Sequence, residues 1–358
     1  PEAWPSLDID EIRALVGLPY LQVVNRIVTP YLKGSIEPRI LEGIIENAYA
    51  GFEHTAVAPL RQLSSHEWML ELFHGPTLAF KDFALQLLGK LFDHSRSFKG
   101  EHITIVAATS GDTGSAAIDA CRGLDRVKTF VLHPKGRVSE VQRRQMTTVV
   151  HRNIHNIAVE GTFDDCQAAV KAMFNDPEFR DSYGLTAVNS INWARVMSQI
   201  AYYFYSAASL GAPDREIAFV VPTGNFGDVY AGYAALCMGL PISRLVVATN
   251  RNDILSRFFA SGEYRKDVVH PTISPSMDIQ VSSNFERLLF EGMERDGEAI
   301  EALMASLNVD GGFHVDSACL ERLCQVFSAC AVSEEETLEA ISAIWQESQI
   351  LIDPHTAV

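Results

Sequence analysis

The sequence predicts an α/β protein with open parallel sheets that are covered by helices. From about residue 67 onward, short β-rich runs alternate with amphipathic helical patterns. Such repeated βα units with buried strands predict parallel sheets that carry helices on both faces. The chain has 358 residues, of which 47% are hydrophobic and 21% charged, and this length suits two or three folding units of about 150 residues each.

The part of the chain before residue 67 reads as helical. Asp8 has the side chain and the position of a helix cap, and the apolar residues of segment 36–50 recur at spacings of three and four. We therefore expect a mostly helical N-terminal region over residues 1–66.

The remaining elements follow in the order strand, then helix. The predicted strands cover residues 68–73, 103–108, 129–132, 156–159, 217–221 and 244–248. The predicted helices cover residues 82–92, 113–122 and 163–174, and further helices begin near residue 228, after residue 248 and after Ser333, which has capping-box spacing to Glu336. Segment 206–215 contains glycine, proline and aspartate, which predicts a linker between two βα series.

The charge, the hydropathy and the cysteine content of the chain disfavour several classes of protein. The formal net charge is −16 and the basic residues are scattered, which disfavours nucleic acid and anionic membranes as partners. No apolar run approaches the roughly 18 residues that cross a bilayer. The six cysteines include no Cys-x-x-Cys pair, so we expect reduced thiols, no metal site and a cytoplasmic protein.

The first loop that carries chemistry, residues 74–83, contains Lys81. The sequence places apolar side chains around this lysine: Phe73, Leu78, Phe80 and Phe83. Because desolvation disfavours the ammonium form, such surroundings favour the neutral amine that forms an imine with an aldehyde. A lysine that snorkels from a helix start is the ordinary alternative.

Two further loops lie between a strand and a helix and suit anions. Residues 109–114 supply hydroxyls and backbone N–H groups at a helix N-terminus, where a carboxylate or phosphate binds well. Residues 222–228 contain glycines that let the backbone approach a phosphate closely. This second loop matches neither the P-loop nor the dinucleotide-binding glycine pattern, which disfavours a nucleotide. Ordinary helix caps and turns are the alternatives.

Asn189 and Arg195 form a fourth candidate, because they could converge on one oxyanion. A helix start with a surface arginine is the alternative. Taken together, the sequence offers an imine-forming lysine, a phosphate cup and two further anion subsites. This combination points to pyridoxal 5'-phosphate as the cofactor and to a substrate with both a carboxylate and a phosphate.

These segments resemble threonine synthases. The resemblance rests on residues 74–82, 110–114, 189–195 and 224–228, in the family's order and spacing, and runs from about residue 30 to the end of the chain. It implies a fold type II pyridoxal-phosphate enzyme, similar to the tryptophan synthase β subunit, with two open α/β domains and a helical N-terminal extension. The larger, cofactor-binding domain would comprise residues 67–84 and 206–358, and the smaller, substrate-closing domain residues 85–205.

The resemblance also implies roles for single residues. Lys81 would hold the cofactor as a Schiff base and act as the mobile acid–base. The cofactor phosphate would be bound by Gly224, Asn225, Phe226, Gly227 and Asp228. The substrate carboxylate would be bound by Thr109, Ser110 and Thr113. Asp112 would lie near the cofactor's ring hydroxyl, where related enzymes commonly carry asparagine, and Asn189 and Arg195 would hold the substrate phosphate.

The family reaction is a carbon–oxygen lyase step of threonine biosynthesis, which converts O-phospho-L-homoserine and water to L-threonine and phosphate. We expect that small molecule as the substrate, and a monomer or homodimer. Two alternatives stay open. A threonine-synthase-like phospho-lyase would release 2-oxobutyrate, ammonia and phosphate. An incomplete, non-catalytic chain would bind the cofactor poorly, because the sequence reads as trimmed at both ends and lacks the family's C-terminal Thr-Ala-His-Pro-like segment.

Overall fold

A computed structural model describes residues 1–99 and 102–358 of the chain. The described chain falls into two compact units. Unit 1 consists of Pro1–Gly17, Gln62–Trp68 and Tyr203–Val358, and unit 2 consists of Leu18–Arg61 and Met69–Tyr202. The division into residues 1–66, 67–84 with 206–358, and 85–205 stays a prediction.

The secondary structure alternates as the sequence predicts. The helices are α1 (Ile9–Arg13), α2 (Tyr20–Leu32), α3 (Pro38–Tyr49), α4 (Lys81–Lys99), α5 (Asp112–Cys121), α6 (Glu140–Thr147), α7 (Phe163–Asn175), α8 (Pro177–Ser182), α9 (Trp193–Ser209), α10 (Gly227–Cys237), α11 (Ile254–Ser261), α12 (Phe285–Gly292), α13 (Gly297–Val309), α14 (Ser317–Cys324), α15 (Glu334–Ser348) and α16 (Pro354–Ala357). The strands are β1 (Leu60–Gln62), β2 (Trp68–Leu70), β3 (Ile103–Ala108), β4 (Val127–Pro134), β5 (Ile154–Val159), β6 (Leu185–Thr186), β7 (Ile217–Pro222), β8 (Ile242–Thr249), β9 (Glu263–Arg265), β10 (Gly312–His314) and β11 (Phe327–Ala331).

Local sequence signals explain several boundaries. Asp8 caps α1 as predicted and forms a capping box with Glu11, and Ser333 forms the predicted capping box with Glu336 at the start of α15. Two expectations differ from the structure. The predicted strand 68–73 ends at Leu70, and α9 continues to Ser209, so that the helix occupies the first part of the predicted linker. Among the helices that the structure describes, none is long and apolar enough to cross a membrane.

Unit 2 contains a four-stranded parallel sheet in the order β5-β4-β3-β6. Ile105 of β3 and Val131 of β4 are fully buried and share one core with Leu88 of α4 and Ile118 of α5. Because β3 lies inside the sheet, its carboxyl end at Ala108 opens into the loop before α5, where ligands of parallel sheets commonly bind.

Aromatic packing in unit 2 anchors the start of α4. The rings of Tyr20 from α2 and Phe83 from α4 lie with their centroids 5.9 Å apart, and Tyr20 also contacts Tyr49 of α3 at 5.4 Å. The Tyr49 hydroxyl donates a hydrogen bond of 2.9 Å to the Phe83 carbonyl. Lys81 therefore begins a helix whose first turn is fixed in a buried core.

Unit 1 contains a three-stranded parallel sheet in the order β11-β8-β7, and β9 pairs with β10 antiparallel. Pro222 at the end of β7 pairs with Ala248 of β8. The next residue, Thr223, still donates its backbone N–H to the Ala248 carbonyl at 2.7 Å. The loop of residues 224–226 consequently starts at a backbone position that the sheet fixes.

Candidate functional site

The loop before Lys81 is a tight turn in unit 2. Asp82 is fully buried, and its two carboxylate oxygens accept hydrogen bonds from the backbone N–H and the hydroxyl of Thr77, both at 2.8 Å. A Cβ on Gly75 would lie 2.5 Å from the Asp82 Cβ, so only glycine fits there. Leu78 adopts a left-handed φ of 62°. These constraints fix the backbone from which Lys81 extends.

Burial has an electrostatic consequence for Asp82. The loss of hydration raises the pKa of Asp82 from 3.8 to about 6, although the Thr77 hydrogen bonds act in the opposite direction. The interactions described for this carboxylate are the hydrogen bonds from Thr77 and from the Ala79 backbone and the repulsion by Asp119, and none of them supplies a cation. Asp82 thus combines two structural hydrogen bonds with a carboxyl that gains a proton easily.

The amine of Lys81 faces Asp112. The two side chains are 13% and 22% exposed, and the Lys81 Nζ lies 3.1 Å from the Asp112 Oδ2. The Phe80 ring centroid lies 4.8 Å from the same nitrogen. The apolar surroundings expected for Lys81 are only partly present, because Phe73 and Leu78 are exposed. The lysine is therefore shielded from water but paired with a carboxylate.

Gln142 is a residue of this site that the sequence did not reveal. Its side-chain amide donates to the Asp112 Oδ1, and its carbonyl oxygen accepts a hydrogen bond of 3.0 Å from the hydroxyl of Ser139, the cap of α6. The spacing of Ser139 and Gln142 is a helix-start signal, which could have located α6 but not the contact with Asp112. Asp112 is thus held between Lys81 and Gln142.

The predicted carboxylate loop surrounds the start of α5. Thr109 is buried, and its hydroxyl oxygen accepts the N–H groups of Gly111 and Gly114, both at 2.9 Å. Thr109 therefore builds the loop from inside. Ser110 is exposed and Thr113 is half-buried. The cap position of α5 is Gly111, which supplies no side-chain hydrogen bond to the helix, and such a helix start is suited to an anion.

Arg195 is the clearest anion-binding candidate in unit 2. The residue is 5% exposed, and one guanidinium nitrogen donates to the Val188 carbonyl at 2.9 Å. Within the described residues, the buried Nε has no hydrogen-bond acceptor. Burial lowers the pKa of Arg195 to about 10, so the group stays charged at neutral pH. Asn189, near the same helix start, is exposed.

The predicted phosphate cup of unit 1 has the geometry of a close backbone approach. A Cβ on Gly224 would lie 3.0 Å from the Ser276 carbonyl oxygen, which leaves little space for a side chain. Phe226 precedes α10 with a left-handed φ of 62°, and no side chain caps the helix. The buried ring of Phe226 packs against Phe285 at a centroid distance of 5.2 Å, which holds this backbone in place. Gly227 then opens the helix.

Asn225 and Asp228 complete the cup. Asn225 is half-buried, and its carbonyl accepts hydrogen bonds from Asn284. The Asp228 carboxylate accepts a hydrogen bond of 2.9 Å from the hydroxyl of Tyr203. Burial is the main cause that raises the pKa of Tyr203 well above its ordinary value, and the negative charge of nearby Asp228 adds to it. The hydroxyl therefore remains a donor. The contacts from residues 282–284 carried no signal in the sequence.

The chemistry of these groups fits pyridoxal 5'-phosphate. Unit 2 supplies a shielded primary amine at Lys81, and unit 1 supplies a glycine-containing loop at a helix N-terminus, where a compact phosphate binds. The structure brings Lys81 and Asp112 together within unit 2, and Gly224, Asn225, Phe226, Gly227 and Asp228 within unit 1. Among the described residues, no group of three His, Cys, Asp or Glu side chains could hold a metal ion.

Comparison with known proteins agrees with this chemistry. The family model described as pyridoxal-phosphate dependent enzyme matches residues 51–316. A threonine synthase from Pseudomonas aeruginosa is 56% identical over 358 residues, which are 100% of this chain and 76% of that protein. The crystal structure of a pyridoxal-phosphate-bound threonine synthase from Brucella melitensis is 52% identical with a TM-score of 0.98, over 100% of this chain and 77% of that one.

A third similar protein is the threonine synthase from yeast, whose crystal structure is 42% identical with a TM-score of 0.94, over 100% of this chain and 76% of that one. The present sequence therefore spans about three quarters of the length of these proteins. The predicted α/β fold of type II is confirmed by these similarities.

Proposed function

Because the chain belongs to the pyridoxal-phosphate-dependent enzymes, and among them to the threonine synthases, we propose that it converts O-phospho-L-homoserine and water to L-threonine and phosphate with Lys81 as its central residue. The observation that carries this proposal is the shielded Lys81 amine, 3.1 Å from Asp112 at the end of a turn that Asp82 fixes. Such an amine is suited to bind an aldehyde and to transfer protons.

Pyridoxal 5'-phosphate, when bound, supplies an electron sink that stabilises negative charge on substrate carbon atoms. The Lys81 Nζ would hold the cofactor, and the same amine would take the proton from the α-carbon of the substrate. The Asp112 carboxylate, held by Gln142, stabilises the protonated amine. Gly224, Asn225, Phe226, Gly227 and Asp228 hold the cofactor phosphate at the start of α10.

The substrate has two anionic ends that need separate donors. We assign its carboxylate to Thr109, Ser110 and Thr113 at the start of α5, whose cap residue Gly111 supplies no side-chain hydrogen bond. We assign its phosphate to Arg195 and Asn189. This second assignment is supported by the buried Arg195 Nε, which lacks an acceptor within the described part of the chain, and which a phosphate oxygen would satisfy.

The first test compares the wild type with Lys81→Ala and with a control, Lys135→Ala. Lys135 is 64% exposed and pairs with Glu160 at the surface, so its loss should change nothing. We expect a visible absorption band of lysine-bound pyridoxal phosphate in the wild type and the control, and none in Lys81→Ala. A band that survives in Lys81→Ala would refute the assignment of the lysine.

The second test identifies the products from O-phospho-L-homoserine. Threonine and phosphate in equal amounts are expected. Release of 2-oxobutyrate and ammonia would instead show a phospho-lyase.

We also propose a small-molecule enzyme that is a monomer or homodimer in the cytoplasm. The location is supported by the six cysteines, all of which are free thiols.

A further inference from the structure

Two side chains of unit 1 donate hydrogen bonds to backbone carbonyl groups of the predicted phosphate cup, residues 224–228. The hydroxyl of Ser282 donates to the Gly224 carbonyl at 2.7 Å. Asn284 donates both its backbone N–H and its side-chain amide to the Asn225 carbonyl, each at 3.0 Å. We call Ser282 and Asn284 the carbonyl clasp. The clasp residues lie 58 and 59 positions from their partners in the chain.

Peptide geometry turns this clasp into a device that aims N–H groups. The peptide bond is planar and trans, so the C=O of one residue and the N–H of the next point in opposite directions. A Gly224 carbonyl held by Ser282 therefore directs the Asn225 N–H away from the clasp. The Asn225 carbonyl, held by Asn284, directs the Phe226 N–H in the same way.

Within the part of the chain that the structure describes, the N–H groups that the clasp directs have no acceptor. Over residues 1–99 and 102–358, no carbonyl or side chain accepts a hydrogen bond from the N–H of Asn225 or of Phe226. Gly227 follows as the first residue of α10, and the first N–H groups of a helix lack partners inside the helix. Consecutive N–H groups at a helix start are the donors that bind a phosphate.

The clasp itself is rigid. Ser282 is 4% exposed and Asn284 is fully buried. The Ser282 N–H donates to the hydroxyl of Tyr264 at 2.8 Å, and the Tyr264 ring stacks on Phe285, the residue after Asn284, with centroids 5.2 Å apart. The clasp thus belongs to the aromatic core that also contains the Phe226 ring.

We propose that Ser282 and Asn284 are positioning residues that aim the Asn225 and Phe226 N–H groups at the phosphate of the cofactor. The proposal rests on the phosphate-binding role proposed above for residues 224–228. A positioning role differs from a purely structural role, in which the clasp would only provide hydrogen bonds to two buried carbonyl groups. In the positioning role, damage to the clasp affects ligands that carry a phosphate and spares those that do not.

The test measures the affinity of the full chain, freed of cofactor, for pyridoxal 5'-phosphate and for pyridoxal, which lacks the phosphate. We expect Ser282→Ala and Asn284→Ala each to weaken pyridoxal-phosphate binding about tenfold, as the loss of one well-directed hydrogen bond to a charged group implies. Pyridoxal binding should stay unchanged. The phosphorus NMR signal of the bound cofactor should shift in both variants.

Ser306→Ala is the matched control, because the Ser306 hydroxyl also donates to a glycine carbonyl, that of Gly312, at 2.8 Å in the same unit. It should change neither affinity. Ser282→Cys keeps the size of the side chain with a weaker donor and should give an intermediate loss, which covers the case of an alanine variant that does not fold.

Three outcomes would contradict the clasp, and they differ in what else they affect. If the variants weaken both ligands equally, or keep the wild-type preference for the phosphorylated ligand, only the clasp is wrong. If the wild type itself binds both ligands equally well, residues 224–228 do not bind the phosphate. That result would overturn the clasp together with the proposed cofactor site.

Discussion

Both carboxylate oxygens of Asp82 accept hydrogen bonds from Thr77, one from the backbone N–H and one from the hydroxyl, at 2.8 Å each. This pairing closes the turn that presents Lys81, and it places an ionisable group in the core. The pKa of Asp82, raised by burial from 3.8 to about 6, makes the contribution of this group to stability depend on pH.

Asp82 should favour the folded state at low pH. The folded state holds the proton more tightly than the unfolded state, so the contribution is fully present below pH 3.8 and is lost as the pH rises through about 6. Asp82→Asn cannot ionise. The difference in unfolding free energy between Asp82→Asn and the wild type should shift in favour of the variant by up to about 3 kcal/mol as the pH rises from 4 to 7. Urea titration at each pH measures this difference.

The same titration with Thr77→Ser and Thr77→Val provides the controls for Asp82. Serine keeps the hydroxyl that donates to Asp82 and should keep the wild-type pH dependence. Valine removes this donor from a buried carboxylate, which should cost about 1–3 kcal/mol above pH 6. Parallel pH curves for the wild type and Asp82→Asn would show that the carboxyl does not titrate in this range.

Gln142 should be needed for catalysis because it holds the carboxylate that faces Lys81. Gln142→Leu removes a donor from half-buried Asp112, and we expect kcat/KM for O-phospho-L-homoserine to fall about tenfold. Gln142→Glu places a second carboxylate beside Asp112 and should be worse than leucine at neutral pH. The reverse order, or full activity in both variants, would remove Gln142 from the site.

Arg195 should determine the affinity for the substrate phosphate. Arg195→Lys keeps the charge but loses the planar donor fork, and we expect KM to rise about 10- to 100-fold with cofactor binding intact. Arg180→Lys is the control, since Arg180 forms a surface pair with Asp181 and is 44% exposed. Steady-state kinetics decide the matter: an unchanged KM in Arg195→Lys would place the phosphate elsewhere.

Gly224→Ala should weaken cofactor binding. The new Cβ would lie 3.0 Å from the Ser276 carbonyl oxygen and 3.2 Å from the Met277 Cα, so the loop must shift away from both. We expect at least about a tenfold loss of affinity for pyridoxal 5'-phosphate, comparable to one misplaced charged hydrogen bond. Gly297→Ala, in the same unit and with no atom within 4 Å, should bind as the wild type does.

Much of the fold could be predicted because buried parallel strands leave a periodic, apolar signal. The strand over residues 103–108 and the loops at Lys81 and Gly224 were located from such patterns, since each lies directly after a strand or before a helix. Helix α9 occupies residues 206–209 of the predicted linker, because apolar burial continues past the first residues of that segment.

The contacts that orient the site could not be predicted in this way. Gln142 lies 30 residues from Asp112, and Ser282 lies 58 residues from Gly224. Such pairs form only once the sheets bring distant loops together, and no local period records them. Leu78 and Phe226 adopt left-handed backbone angles of 62° without being glycine, a conformation that tertiary packing imposes against the local preference.

Phe226 connects the thermal stability of the protein with the retention of the cofactor. Its ring is part of the aromatic core with Phe285 and Phe327, while its backbone belongs to the loop that is proposed to bind the cofactor phosphate. Core substitutions that raise or lower the melting temperature at this cluster should therefore lengthen or shorten the time for which the enzyme retains its cofactor. A variant made more heat-stable by substitutions at these rings should therefore also differ from the wild type in its rate of cofactor loss.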